Sequence, residues 1–435
     1  MSTTAAPAII RTIDPASGEP LAEYETHGRE LVETALAEAA AAFPAWRDAG
    51  FSERAALFVK IAGHLRARKA DLGTLITREM GKPLAEAEAE VEKCAAGCDY
   101  YAKHAVEMLA DEHVRSNAAE SYVSFNPLGV VLAIMPWNFP FWQVFRFAAP
   151  GLMAGNVAVL KHAANVTGCA LEIERIFTAC GAPKGVFATI VVAGKDMEAV
   201  VADPRVAAVT LTGSEAAGSA VASAAGKQIK KSVLELGGSD AFIVLADADL
   251  DAAAATAVKG RFQNTGQSCI AAKRFIVEDA VYDAFLDKFV ERARKLVVGD
   301  PLDRGTQIGP LARRDLRDAV DQQVRDSVAQ GARVVLGGTP LDRPGYYYAP
   351  TILADVTPAM TAFREETFGP AAAVIRARDA EHAVELANDS AFGLGGNLWT
   401  TDPARGRALA RRIETGAVFI NGMTASDPRL PFGGV

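Results

Sequence analysis

Cys269 closes the run Gln263-Asn264-Thr265-Gly266-Gln267-Ser268-Cys269. Glycine, amide and hydroxyl neighbours suit a reactive thiol better than a core position, and its thiolate would serve as the nucleophile of covalent catalysis. A structural thiol following a helix is the other reading, so partner groups must decide. The remaining cysteines have simpler explanations. Cys94 and Cys98 sit i, i+4 in an Ala/Glu helical pattern, and Cys169 and Cys180 fall among apolar residues, where a free thiol packs as a small hydrophobe. A zinc site at Cys94 and Cys98 lacks ligands, since only His104 is near and at the wrong interval.

Leu234-Glu235-Leu236-Gly237-Gly238 sets a carboxylate between leucines, ahead of a glycine pair that lets the backbone turn sharply. Partial desolvation makes a carboxylate more basic and suits it to general-base work, although a capping or ion-paired Glu would look the same. In Pro136-Trp137-Asn138-Phe139-Pro140 a single amide stands between prolines and aromatics, where it could donate to a developing oxyanion or simply turn the chain.

Thr210-Leu211-Thr212-Gly213-Ser214 ends an apolar run in glycine and opens a small-residue helix, whose free N–H groups could receive a phosphate. The Gly213 to Gly218 spacing is neither GxGxxG nor a Walker loop, because no Lys-Ser/Thr follows Gly218, so a plain cap at Ser214 stays open. Lys161 could neutralise a phosphate or snorkel to solvent. Glu366, in Glu365-Glu366-Thr367-Phe368-Gly369-Pro370, could hold a ribose diol or be surface charge.

These residues need a scaffold. After a turn at Asp14-Pro15-Ala16-Ser17-Gly18, amphipathic periodicity predicts helices near 30–46, 52–80 and 84–109. Alternation at Tyr122, Ser124 and Asn126, the Pro127-Leu128-Gly129 turn and the apolar run Val130 to Met135 together predict a hairpin. Strands near 157–161, 187–192 and 207–211 then alternate with helices near 168–180 and 197–202, which is the logic of a parallel sheet covered by helices. A second alternating set follows, with strands near 241–245, 275–277, 333–336 and 372–375. Two α/β domains result.

Composition agrees: 435 residues exceed one ordinary core, and 50% apolar with 23% charged residues describes a globular chain. A net charge of -8 leaves no electrostatic footprint for nucleic acid. No secretory leader opens the sequence and the odd cysteine count makes a poor disulfide framework, so a reducing cytoplasm is expected. The uncharged stretch from Ser121 to Phe145 is interrupted by Pro127, Pro136 and Pro140; it reads as strands and a loop, with no membrane partner.

Pro-Trp-Asn-Phe-Pro, Leu-Lys, Leu-Thr-Gly-Ser, Leu-Glu-Leu-Gly-Gly, Gly-Gln-Ser-Cys, Glu-Glu-Thr-Phe-Gly-Pro and Pro-Phe-Gly-Gly, in this order, resemble the aldehyde dehydrogenase superfamily along essentially the whole chain. Leu160-Lys161-His162-Ala163 and Cys269-Ile270-Ala271-Ala272-Lys273-Arg274 are most similar to succinate-semialdehyde dehydrogenases. The resemblance implies an α/β fold: a Rossmann-like cofactor domain (1–115 and 128–236), an oligomerisation hairpin (116–127) and a catalytic α/β domain (237–424). It implies NAD(P)-dependent oxidation of a small aldehyde, with Cys269 as nucleophile, Glu235 as general base, and the Asn138 amide with the Cys269 backbone N–H as oxyanion hole. It assigns Lys161, Gly213 and Ser214 to the cofactor's ribose and phosphates, Glu366 and Phe368 to the nicotinamide ribose, and Trp137 to the cofactor crevice. A homodimer or homotetramer is implied as well.

Three departures from the family pattern matter. Ala164 stands where NAD-selective members carry the Glu that holds the adenosine 2′-hydroxyl, so NADP is admitted alongside NAD. Arg146 matches one of two arginines that hold a substrate carboxylate in some members, but Gln263 occupies the place of the other. Residues 425–435 read as the start of a C-terminal segment that is truncated relative to the family. A dehydrogenase that passes the thioester to coenzyme A would share the first steps, although Glu235 favours hydrolysis; a non-catalytic binding or structural protein of the same fold would not need the Cys269, Glu235 and Asn138 set.

Overall fold

The computed structural model describes residues 8–435 and divides into two compact units. Unit 1 comprises the described residues up to Ile13, Pro20–Glu79 and Ala85–Leu234; unit 2 comprises Asp14–Glu19, Met80–Leu84 and Glu235–Val435.

In unit 1 a five-stranded sheet runs in the order Phe187–Thr189, Val157–His162, Val130–Met135, Val206–Thr212, Lys231–Glu235. The first four strands pair in parallel. Val130–Met135 lies at the centre because a continuous apolar run needs both faces covered, and only a helix-flanked parallel sheet does that. Helices Arg29–Asp48, Trp142–Met153, Thr167–Ala179 and Glu215–Lys227 supply the cover, with Phe51–Ala67 packed outside them. Phe177 seals one layer, stacked 4.3 Å from Phe187 and 5.8 Å from Phe145; rings of this kind, once buried, each contribute roughly 1.5–3 kcal/mol.

Unit 2 is built on a seven-stranded sheet, ordered Arg333–Leu336, Thr351–Ala354, Ala371–Ala377, Ala272–Glu278, Asp240–Val244, Gly395–Trp399, Ala417–Ile420. All neighbours are parallel except the first pair. Two short excursions complete this unit: Tyr346 donates its N–H to the Pro15 carbonyl and Leu84 to that of Pro301.

The α/β class and the alternating order match the expectation from sequence; several details differ. Val130–Met135 does not fold back on 122–126. The hairpin instead joins Glu112–His113 to Tyr122–Val123, four residues that are all exposed and so cannot share a buried strand's environment. The helix expected over 52–80 breaks at Arg68, whose φ of -107° leaves the helical range, giving Phe51–Ala67 and Lys69–Met80. The stretch read as strands and loop up to Phe145 contains the first turn of helix Trp142–Met153. Strands Ile9–Ile13 and Pro20–Glu25, which flank the Asp14–Gly18 turn as an antiparallel pair, were not anticipated, nor were Thr351–Ala354, Gly395–Trp399 and Ala417–Ile420. Among the described residues no helix is long and apolar enough to cross a membrane, and no cluster of His, Cys, Asp and Glu could hold a metal ion.

Candidate active site

In unit 1 the carboxyl ends of three adjacent parallel strands gather the residues singled out there. Met135 leads into the Asn138 loop, Lys161 stands one residue from the end of Val157–His162, and Thr212 leads into Gly213 and Ser214. Open α/β sheets bind ligands at this edge because the strands end there and the following helices begin. Asn138 is buried, and Trp137 is half-buried beside it. The loop is pinned from two sides. His162 accepts the Ala163 N–H on Nδ1 at 2.8 Å, so its proton sits on Nε2, which reaches the Pro140 carbonyl at 2.8 Å. Glu90 accepts the N–H groups of Phe141 and Trp142, both at 2.9 Å, and so caps helix Trp142–Met153.

Lys161 is half-buried, and that burial lowers its pKa below the ordinary lysine value. Ser214 uses its hydroxyl as the N-cap of Glu215–Lys227, accepting the Ala217 N–H at 3.3 Å, so the plain-cap reading is realised. Beside it Gly213 has room for a side chain: an added Cβ would make only ordinary contacts, with Leu211 at 3.6 Å and Ala217 at 3.9 Å. Ala164 is exposed at the start of a short turn. Arg146, on the helix after Asn138, donates from Nη2 to the Thr212 hydroxyl at 3.2 Å, at the same sheet edge.

In unit 2 the amino ends of three adjacent strands, Asp240–Val244, Ala272–Glu278 and Ala371–Ala377, gather the other set. Cys269 is partly buried at the close of a loop whose Asn264, Thr265 and Gly266 all have positive φ, at 54°, 54° and 74°. A β-branched threonine there is strained, and the surroundings hold it. Thr265 exchanges hydrogen bonds with Gly309, Gln267 accepts the Ala312 N–H at 2.9 Å, and the fully buried Arg261 donates to the carbonyls of Gly266, Thr367, Gly369 and Ala272. Arg261 thereby ties the Cys269 loop to the run that carries Glu366.

Glu366 is half-buried and accepts the Gly238 N–H at 3.0 Å. A Cβ on Gly237 would come within 2.5 Å of the Glu366 carboxylate, and one on Gly238 within 2.5 Å of the Cys269 carbonyl. The glycine pair is needed for close approach, not only for turning. Lys273, 1% exposed, lies 3.3 Å from the Glu366 carboxylate and donates to the Ser268 and Cys269 carbonyls, both at 2.9 Å. Its ammonium also lies 5.9 Å from the Phe368 ring centre. Glu235 ends its strand half-buried, with its carboxylate 3.4 Å from where a Cβ on Gly433 would stand. Gln263 is exposed where Asn264–Ser268 are buried.

Sequence reasoning missed Lys273, Arg261, His162 and Glu90 as structural partners of these loops. A signal was present for Lys273 and His162, each a charged or polar residue in an otherwise apolar strand, Ala272–Glu278 and Val157–His162; Glu90 and Arg261 lie in helices that carry other charged residues, where nothing local marks them.

The chain matches the model of the aldehyde dehydrogenase family over residues 2–435. It is 51% identical over 424 residues to a succinate semialdehyde dehydrogenase [NAD(P)+] of Escherichia coli (strain K12), covering 98% of this chain and 92% of that relative. Identity is also 51% over 430 residues to a succinate-semialdehyde dehydrogenase [NADP(+)] of Mycobacterium ulcerans (strain Agy99), covering 98% and 94%. The crystal structure of succinic semialdehyde dehydrogenase from Streptococcus pyogenes in complex with NADP+ superimposes with a TM-score of 0.96 at 37% identity, covering 98% of this chain and 94% of that one.

Proposed function

Because this chain belongs to the aldehyde dehydrogenase family, we propose that the aldehyde it oxidises with NADP or NAD is succinate semialdehyde, or a semialdehyde of similar length. The support for that substrate is the 51% identity to relatives named for it, together with the Arg146 guanidinium at the sheet edge beside Thr212. A guanidinium there suits the free carboxylate of a semialdehyde. The partly buried thiol on a strained, fully braced loop carries the catalytic reading.

In this reading the Cys269 sulfur bonds the carbonyl carbon, and the Asn138 amide and the Cys269 backbone N–H stabilise the oxygen as it becomes negative. The donors of each unit fit part of a nicotinamide dinucleotide: in unit 1, Lys161 and the helix start at Ser214 offer positive potential and N–H groups for phosphate, and in unit 2 the Glu366 carboxylate suits a ribose diol. A bound nicotinamide would supply the acceptor for the hydride of the former aldehyde carbon. Glu235 then takes a proton from water as its oxygen attacks the remaining thioester; the C–S bond breaks, the thiolate returns and the acid departs. Ala164 places no carboxylate against a 2′-phosphate, which supports the use of NADP.

Assembly into a homodimer or homotetramer is supported by the apolar surface on and after the hairpin, where Tyr122, Val123 and Phe125 are 53%, 47% and 45% exposed. Five cysteines, none of them joined in a disulfide, suit a reducing cytoplasm.

Initial rates with succinate semialdehyde, glutarate semialdehyde and a neutral aldehyde of equal length, each with both cofactors, test the substrate. Preference for a carboxylated aldehyde that disappears in Arg146→Ala is expected; equal kcat/KM on all three sinks the assignment.

A further inference from the structure

We propose that Lys273 is a positioning residue that couples the main chain of the nucleophile to the Glu366 carboxylate, so that cofactor-side and thiol-side geometry are set by one buried ammonium. The proposal rests on the reading of Cys269 and Glu366 above and deepens it.

An ammonium has three N–H donors, and Lys273 meets three acceptors: the carbonyls of Ser268 and Cys269 at 2.9 Å each and the Glu366 carboxylate at 3.3 Å. It is 1% exposed, so none of these is exchanged for water. Asp240 and Cys269 add attraction for its charge, while Arg261 opposes it and burial disfavours it. A buried ion pair is weak evidence for stability, since a well-packed apolar residue often does as well there. What the ammonium provides and an apolar side chain cannot is directional hold on two separate segments. The same junction is closed from the other side by Gly238, which donates to Glu366 at 3.0 Å and whose missing Cβ lets the Cys269 carbonyl approach. Remove the ammonium, and Glu366 loses its charged partner while the Cys269 carbonyl loses a donor. The carboxylate is then free to turn away from a ribose, and the loop that carries the sulfur is held by fewer bonds.

The test is a cycle in the full chain: Lys273→Met, Glu366→Gln, the double variant, and Lys273→Arg, each checked for folding by circular dichroism and thermal unfolding. Two readouts are taken, the NADP dissociation constant by fluorescence titration without substrate, and the rate of Cys269 alkylation by iodoacetamide without cofactor. Lys273→Met is expected to weaken NADP binding about tenfold, and to do so only while Glu366 is present, so that the double variant binds no more weakly than Glu366→Gln. Its Cys269 alkylation rate is expected to change at least threefold, with Lys273→Arg nearer to wild type on both counts. Folded Lys273→Met with NADP affinity and alkylation rate both within twofold of wild type would overturn the proposal, as would additive losses in the double variant. Should Lys273→Met not fold, the same cycle with Lys273→Gln, which keeps a donor but removes the charge, decides the matter by the same criterion of additivity. A wild-type protein that oxidises no aldehyde defeats the functional reading instead, and leaves both of these readouts intact.

Discussion

The carboxylate of Glu90 lies 2.9 Å from the backbone N–H of Trp142 and accepts it, together with that of Phe141. These are donors that a helix leaves unpaired at its start, and Glu90 is buried, so no water replaces it. Glu90→Ala should lower unfolding stability by about 1–3 kcal/mol, the cost of leaving buried donors unsatisfied, and should lower kcat because the Asn138 loop precedes this turn. Urea denaturation read beside initial rates checks both; an unchanged midpoint refutes the capping role.

His162 is fully buried, and burial lowers its pKa from the ordinary 6.5 to about 4, with the nearby Lys161 charge acting in the same direction. The unfolded chain therefore binds a proton between these values that the folded chain refuses. Its contribution to stability is present above about pH 6.5 and is lost as pH falls toward 4, at most roughly 3 kcal/mol. Asp240 acts with opposite sign, since burial raises its pKa to about 6 and its contribution is lost as pH rises through that value. The comparison of wild type with His162→Gln cancels Asp240. Urea midpoints measured from pH 7 to 4 should fall less steeply in the variant, and parallel curves would contradict this account.

The two glycines after Leu236 should respond differently to the same added methyl. At Gly237 the obstacle is the end of the Glu366 side chain, which can swing aside, so Gly237→Ala should fold normally and raise the KM for NADP several-fold. At Gly238 the obstacle is the Cys269 backbone carbonyl, which cannot move without the loop. Gly238→Ala should cost about 1–3 kcal/mol of stability, as overpacking does, and most of the activity. Thermal unfolding and steady-state kinetics on the pair separate the two; equal behaviour would mean the approach distances do not matter.

Replacement of Cys269 by Ala should abolish NAD(P)-dependent oxidation with no loss of folding. Glu235→Gln should leave a burst of NAD(P)H followed by slow turnover, because only release of the acid needs the base. Rapid-mixing absorbance at the reduced-nicotinamide band distinguishes a burst from uniformly slow oxidation, and the latter outcome would remove Glu235 from the hydrolytic step.

Much of the fold is encoded locally. The helices at 84–109 and 197–202, and the strands at 157–161 and 333–336, lie within a residue or two of where periodicity puts them, because the alternation of apolar and polar residues is a property of a few turns of chain. The run that ends in Cys269 stands out by its composition for the same reason. Strands Gly395–Trp399 and Ala417–Ile420 are not, since two glycines open one and the other is bracketed by Gly416 and Asn421-Gly422, which read as turns. Their identity as strands comes from pairing with Asp240–Val244 and with each other.

The amino-acid chain alone thus carried the α/β class, the order of elements and the residue types able to do chemistry. It took the folded molecule to establish that Val130–Met135 sits at the centre of a parallel sheet rather than in a hairpin, that a buried lysine joins Cys269 to Glu366, and that Gly237 and Gly238 are glycines for want of room. The cause is one of range. Periodicity and propensity act over neighbouring residues, whereas burial, ion pairing and steric approach are set by segments some 30 to 130 positions apart in sequence, such as Gly238 and Glu366.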